Sequence, residues 1–193
     1  MEDRISAASL LSLLSSSSSV IHILINEEVG IFLSNLLTHS KTPIQLVNNI
    51  LFVLRQLVTD DEMLASISPT IISLLKNHIG NPVTSSTCCS LLHKLYSTDI
   101  ELGFSMFEYG IVEILVDILG QVTSSEVTIG SVLTLLIDLC KDDKVDIGEQ
   151  FTEGGGLSCI KSKLIQFDEN PFTVCLIMES LCNIIISSAS ISA

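Results

Sequence analysis

The sequence predicts an all-α protein, and its helical spacing and weak strand signals carry that prediction. In the stretch IVEILVDIL, Ile111, Ile114, Leu115 and Ile118 fall on one face of a helix. Strand signals are weak, because aromatic residues are few and no Asn-Gly pair offers a hairpin turn. Apolar residues make up 47% of the 193-residue chain, which is enough to bury a core, so a folded helical chain is expected.

A third observation is a repeat with a period of roughly 40 residues, which is typical of stacked helical units. Each unit combines a small or turn residue, an apolar helix, a polar turn and a second, longer helix, with a short helix expected ahead of the glycine. One such unit cannot bury its apolar face alone, so we expect the units to stack around a continuous core. The apolar helices begin at Gly30, Pro69, Gly110 and Gly156.

The first segment, residues 1–20, is predicted to be a short helix followed by a serine linker from Ser15 to Ser19. Glu2 and Asp3 disfavour the basic start of a signal peptide. The remainder, residues 21–193, is predicted to be one repeat array. Its repeats are expected at about 21–60, 61–99, 100–143 and 144–187.

Glycines mark the predicted junctions between the helices of a unit. Gly30, Gly110, Gly155 and Gly156 are the expected structural hinges, because a residue without Cβ accepts positive φ and close approach. The run of three glycines ending at Gly156 also suggests a phosphate-binding loop. That loop needs a preceding strand and a following Gly-Lys-Ser/Thr, and the sequence offers neither, so a hinge is preferred.

Charge and motif content narrow the function classes. With 9 basic and 22 acidic residues the net charge is −13, which disfavours nucleic acid and anionic membranes. The acidity suits a basic protein partner, and solubility over an apolar core explains it equally well. No apolar run reaches the roughly 18 residues of a membrane span. Catalytic motifs are missing, so we expect no enzyme and no metal or cofactor.

The six cysteines point to a reducing compartment. They form no CxxC pair, and most lie inside apolar runs, where a thiol acts as a small hydrophobe. We therefore expect a cytoplasmic or nuclear protein. The neighbouring Cys88 and Cys89 could be redox active or could line a helix contact, and the contact is preferred.

The last unit carries the most specific pattern. Residues 151–170, FTEGGGLSCIKSKLIQFDEN, contain the spacing F-x-E-x-G-G-L-x-x-I followed by Asp-Glu-Asn. This stretch resembles the final repeat of the importin α family of nuclear-import adaptors. In sequence order, the resemblance covers about residues 21–187, which correspond to the four C-terminal repeats of a longer family member. The resemblance implies an armadillo-type right-handed superhelical solenoid of about four three-helix repeats.

The resemblance also implies a binding site. The family holds lysine-rich import signals along its long helices with Trp and Asn four residues apart, a spacing that places both on one helix face. Our chain has no tryptophan. The pairs at the matching positions are Phe52 and Gln56, Ser90 and Lys94, and Thr134 and Asp138. Lys94 would repel a basic peptide and Asp138 would attract one. The implied peptide-binding residues are therefore Phe52, Gln56 and Asp138.

Two functions follow as hypotheses. The first is an importin α-like adaptor that recognises a partner with a basic, nuclear-localisation-type segment, with a nuclear transport carrier as a further partner. The family's carrier-binding arm is basic, whereas residues 1–20 hold one basic residue, Arg4. The alternative is a generic armadillo scaffold for a folded partner, such as a chaperone or cytoskeletal regulator. Salt should weaken the first kind of binding more than the second.

Overall fold

The computed structural model describes residues 2–26, 29–37, 42–57, 61–98, 102–121, 125–141 and 146–190. Within these ranges the chain forms twelve α-helices and no strand, which confirms the all-α prediction. The helices are α1 Glu2–Leu14, α2 Ser18–Asn26, α3 Val29–Leu37, α4 Ile44–Leu57, α5 Asp61–Asn77, α6 Pro82–Thr98, α7 Leu102–Glu108, α8 Ile111–Gly120, α9 Glu126–Leu139, α10 Ile147–Glu153, α11 Gly156–Gln166 and α12 Pro171–Ser190.

The helices α1, α4, α6, α9 and α12, here called the long-helix row, contact one another in chain order. Equivalent positions carry equivalent side chains: the eleventh residue is leucine in α4, α6, α9 and α12. Leu54, Leu92 and Leu136 are fully buried, and Leu181 in the last helix is partly buried. At this position α4, α6, α9 and α12 therefore present the same apolar side chain to the packed interior.

The shorter helices form a second set of contacts behind this row. α3 packs on α5, α5 on α8, and α8 on α11. Lys163 of α11 is buried, and its Nζ donates to the backbone oxygen of Gln121, 2.7 Å away, just beyond the C-terminus of α8. Burial lowers the pKa of Lys163, while the helix C-terminus favours a cation. This lysine thus joins two consecutive units.

Three long helices begin with a shared pattern that the sequence reasoning missed. The stretches NPVT, SEVT and NPFT start α6, α9 and α12. In each, the side chain of the first residue caps the helix by accepting from the threonine N–H. The threonine hydroxyl then donates to the preceding long helix. The three hydrogen bonds run from Thr84 to Asn48 Oδ1, from Thr128 to the backbone oxygen of Pro82, and from Thr173 to Glu126 Oε1.

The N-terminal segment differs from its prediction. Helix α1 is present, but it packs on α4 through Ala8 and Leu11, and Asn49 Nδ2 donates to Ser9 Oγ over 2.8 Å. The serines form a short turn, and α2 already begins at Ser18. The apolar face of α1 needs burial, so α1 packs on α4 and is not a separate segment.

The unit predicted at residues 61–99 also differs. A helix was expected to begin at Pro69 after a separate short helix, but α5 runs without a break from Asp61 to Asn77 with Pro69 inside. Proline removes one helical hydrogen bond, at a cost of about 3 kcal/mol. Burial of Ile67, Ile71 and Leu75 on the same helix offsets this loss. This unit consequently has two helices, α5 and α6, where three were predicted.

Helix α12 departs from the expectation that no segment could span a membrane. Among the described residues, Pro171–Ser188 is long and apolar enough to do so by length and composition, and 28% of it is buried. One such helix is weak evidence, because core helices of soluble proteins pass the same test. Thr173 and Ser180 of this helix are buried against the rest of the protein, and the charged Glu179 is exposed.

Candidate functional site

The three predicted pairs occupy matching positions of the long-helix row. Phe52, Ser90 and Thr134 are the ninth residues of α4, α6 and α9, and Gln56, Lys94 and Asp138 are the thirteenth. All six are partly exposed. Two depressions lie on this face, one between α4 and α6 and one across α6, α9 and α12. We call them the first and second depression.

The first depression has a volume of about 470 Å³ and is cationic. The guanidinium of Arg55 lies over the ring of Phe52, 5.6 Å from its centroid, so the predicted aromatic is already covered by a cation. Lys94 Nζ donates to the backbone oxygen of Arg55 over 3.0 Å. Burial, and secondarily Arg55, lowers the pKa of Lys94. Arg55, Gln56, Ser90, His93, Lys94 and Ser97 line it.

The second depression has a volume of about 420 Å³ and is more apolar and more acidic. Phe172 and Val127 stand at its edge with 69% and 71% of their surfaces exposed. Glu126 also lines it, and its carboxylate accepts from Asn170 and Thr173. An exposed aromatic next to a carboxylate suits a lysine side chain, whose stem packs on the ring while the ammonium faces the acid.

Asp138 is already paired within the chain. One carboxylate oxygen lies 2.6 Å from His93 Nδ1, a favourable contact when that nitrogen carries a proton. The other lies 2.7 Å from Lys141 Nζ. His93 and Lys141 thus stand between Asp138 and an incoming basic side chain. The sequence could not show this, because the histidine belongs to the preceding long helix.

Helix α12 adds two residues that the pair register implied but the sequence reasoning did not select. Glu179 and Asn183 are its ninth and thirteenth residues, and both lie at the surface. Asn183 Nδ2 donates to the backbone oxygen of Glu179. Glu179 and Glu126 make the α9–α12 part of the row acidic, and the neutral amide of Asn183 adds hydrogen-bonding groups. The signal that could have found them is the NPFT start of α12, which aligns it with α6 and α9.

The predicted hinge glycines take two different roles. Gly110 and Gly155 have φ values of 72° and 82° and each directly precedes a helix, α8 or α11. Gly156 is instead the first residue of α11, and a Cβ there would lie 2.3 Å from the ring of Phe151. Gly30 is the second residue of α3 and is buried, so it lies inside the helix and not before it. The helix ahead of the triple glycine is α10.

The six cysteines comprise three buried thiols, two exposed thiols and Cys159, which is half-buried. Cys88, Cys89 and Cys140 are buried, whereas Cys175 and Cys182 on α12 are exposed, which corrects the view that they act as core hydrophobes. Burial raises the pKa of Cys89 to about 12, and burial followed by the charge of Cys89 raises the pKa of Cys88. The neighbouring thiols are thus poor nucleophiles.

We expect a chromogenic disulfide reagent to modify Cys175 and Cys182 rapidly in the folded protein. Cys88 and Cys89 should react only after denaturation, because burial blocks access and suppresses the thiolate. The released chromophore, followed in buffer and then in denaturant, reports both groups. A Cys175→Ser, Cys182→Ser variant should lose the fast phase. A fast phase that persists in this variant would contradict the assignment.

No protein-family model matches the chain, and no curated protein matches it.

Proposed function

We propose that the chain is an armadillo-type helical-repeat protein that binds a partner protein along its long-helix row. The chain-order contacts of α1, α4, α6, α9 and α12, and the recurring threonine bonds between long helices, support a stacked repeat. In this proposal α5 combines the first two helices of its unit, and the array forms a right-handed superhelical solenoid. Binding is non-covalent, with no enzymatic role.

The partner segment we propose is basic, as in the importin α-like hypothesis, but its site differs from the one first predicted. The single observation that carries this is the second depression, which combines the exposed Phe172 with Glu126. At the first depression Arg55 and Lys94 oppose a basic peptide. Lysine stems would pack on Phe172, and the net charge of −13 would attract the segment from a distance.

In this proposal the protein acts as an adaptor for nuclear-localisation-type segments, in the cytoplasm or nucleus, with a nuclear transport carrier as a further partner. A generic scaffold for a folded partner remains the second candidate. The cationic first depression favours it, since Arg55 and Lys94 would suit an acidic surface. The charge of the preferred ligand therefore separates the two candidates.

The first test is the binding of a fluorescent lysine-rich peptide, measured by anisotropy at low and at physiological salt. We expect saturable binding that weakens as salt rises, because the ion pairs are exposed. Phe172→Ala should weaken binding roughly tenfold, the order of one good cation–π contact. Phe52→Ala is the control, since it removes a phenylalanine ring that lies under Arg55, a lining residue of the first depression, and should change the affinity little.

The outcomes distinguish the candidates. A loss of affinity in Phe52→Ala but not in Phe172→Ala would return the site to the pair first predicted. Preferential binding of a glutamate-rich peptide would favour the scaffold candidate and the first depression. No binding of either peptide at low salt would overturn the peptide-binding proposal as a whole.

A further inference from the structure

The last long helix leaves uncovered a stripe that the earlier long helices bury. The fourth, eighth and eleventh residues of α9 are Ile129, Leu133 and Leu136, and none of them is exposed. The same positions in α4 and α6 are buried as well. In α12 the stripe is open. Its members, here called the α12 surface, are Val174, Met178, Leu181 and Ile185.

Exposure on the α12 surface is large at two positions. Met178 is 50% exposed and Ile185 is 65% exposed, while Cys140, which follows the last residue of α9 at the position equivalent to Ile185, is 7% exposed. Among α4, α6, α9 and α12, the stripe is open in α12 alone. Each of α4, α6 and α9 contacts a following helix of the row, a neighbour that α12 lacks among the described residues.

The opposite end of the row is also apolar and open. Helix α1 uses Ala8 and Leu11 against α4. It leaves Leu10, Leu13 and Leu14 with 57%, 75% and 43% of their surfaces exposed. These three leucines, here called the α1 surface, lie at a spacing that places them on one helix face. At 13 residues α1 is almost as long as α4 and α9, with 14 residues each.

We propose that copies of this chain associate head to tail, with the α1 surface of one copy seated on the α12 surface of the next. Neither surface contains a charged side chain. The contact would repeat the step by which one long helix packs on another, as α1 does on α4. Burial of the exposed apolar area drives it, as between the stacked repeats of a solenoid.

The contact is heterologous, because different surfaces of the two copies meet. Each added copy leaves one free α1 surface and one free α12 surface, so assembly proceeds as open chains and does not stop at a dimer. Salt should strengthen the association, because copies of net charge −13 repel one another and salt screens that repulsion. This response is opposite to the one expected for peptide binding, so the two proposals fail independently.

Two single substitutions test the geometry by sedimentation velocity over a range of protein concentrations. Wild-type protein should form dimers and longer species as concentration and salt rise. Ile185→Glu blocks the α12 surface and Leu13→Glu blocks the α1 surface, so each variant alone should be monomeric. An equal mixture of the two should form a one-to-one dimer, because each variant keeps the surface that the other lacks.

Val83→Glu is the matched control. Val83 is 59% exposed near the start of α6. The substitution adds the same negative charge at a place away from both ends of the row, so association should persist. Circular dichroism should show equal helicity in all variants, since the replaced side chains are exposed. A wild type that stays monomeric at all concentrations and salt levels overturns the proposal. So does a blocked variant that dimerises alone, or a mixture that forms no dimer.

Discussion

Replacing Phe151 with alanine is expected to destabilise the protein by about 3–5 kcal/mol, the usual range for a buried phenylalanine. Phe151 has no exposed surface and closes α10 against the start of α11. A Cβ atom added to Gly156 would lie only 2.3 Å from the nearest ring carbon of Phe151. Gly156→Ala should itself cost about 1–3 kcal/mol, because the buried ring cannot move aside freely.

The double variant distinguishes a close approach from a backbone requirement. Removing the ring makes room for the methyl group, so Phe151→Ala with Gly156→Ala should cost less than the two single changes added together. Gly155→Ala is the control: nothing lies within 4 Å of its Cβ position, but φ is +82°. Its cost of about 1–2 kcal/mol reflects backbone strain, and Phe151→Ala should not relieve it. Unfolding in urea measures all five variants, and additive costs at Gly156 would contradict the packing argument.

Leu136→Ala is expected to cost about 2–5 kcal/mol, because the side chain is fully buried between neighbouring long helices. Leu181→Ala changes the same residue type at the same position of α12, where the side chain is only partly buried. We expect Leu181→Ala to lower the free energy of unfolding by less than half as much as Leu136→Ala. Comparing the urea midpoints of the two variants at low protein concentration measures the burial that a following helix supplies.

Equal costs at Leu136 and Leu181 would mean that α12 is already covered in the monomer. A cost at Leu181 that grows with protein concentration would instead agree with head-to-tail association, since the second copy then buries this leucine. The comparison therefore bears on the fold and on the assembly with the same pair of variants.

The apolar periodicity predicted the helices well, because the spacing of apolar residues within a helix is local. The helices expected after Gly110 and at Gly156 begin at Ile111 and Gly156. Pro69 was misleading, since its local preference for a helix start is outweighed by the burial of Ile67 and Ile71 on both sides of it. The serine run was misleading for a similar reason, because α2 begins within it and packs on α3.

The candidate site was less predictable than the helices. The spacing of the pairs placed Phe52 and Gln56 on one face, but the charges around them come from other parts of the row. Lys94 reaches the backbone oxygen of Arg55, and His93 reaches Asp138. Each contact joins residues about 40 positions apart, the period of a stacked repeat. Their electrostatic effect on a ligand appears only once the helices are packed.

The helical class and the acidic character of the chain could be read from the amino-acid order and composition, because hydrogen bonding within a helix and net charge depend on local residues and on composition. Packing between helices determines which of the two depressions is acidic, why position 156 requires glycine and which apolar stripe of α12 is exposed. These properties depend on what packs against each helix. Leu136 of α9 is fully buried and the equivalent Leu181 of α12 is only partly buried, because α9 has a neighbouring long helix on both sides and α12 on one.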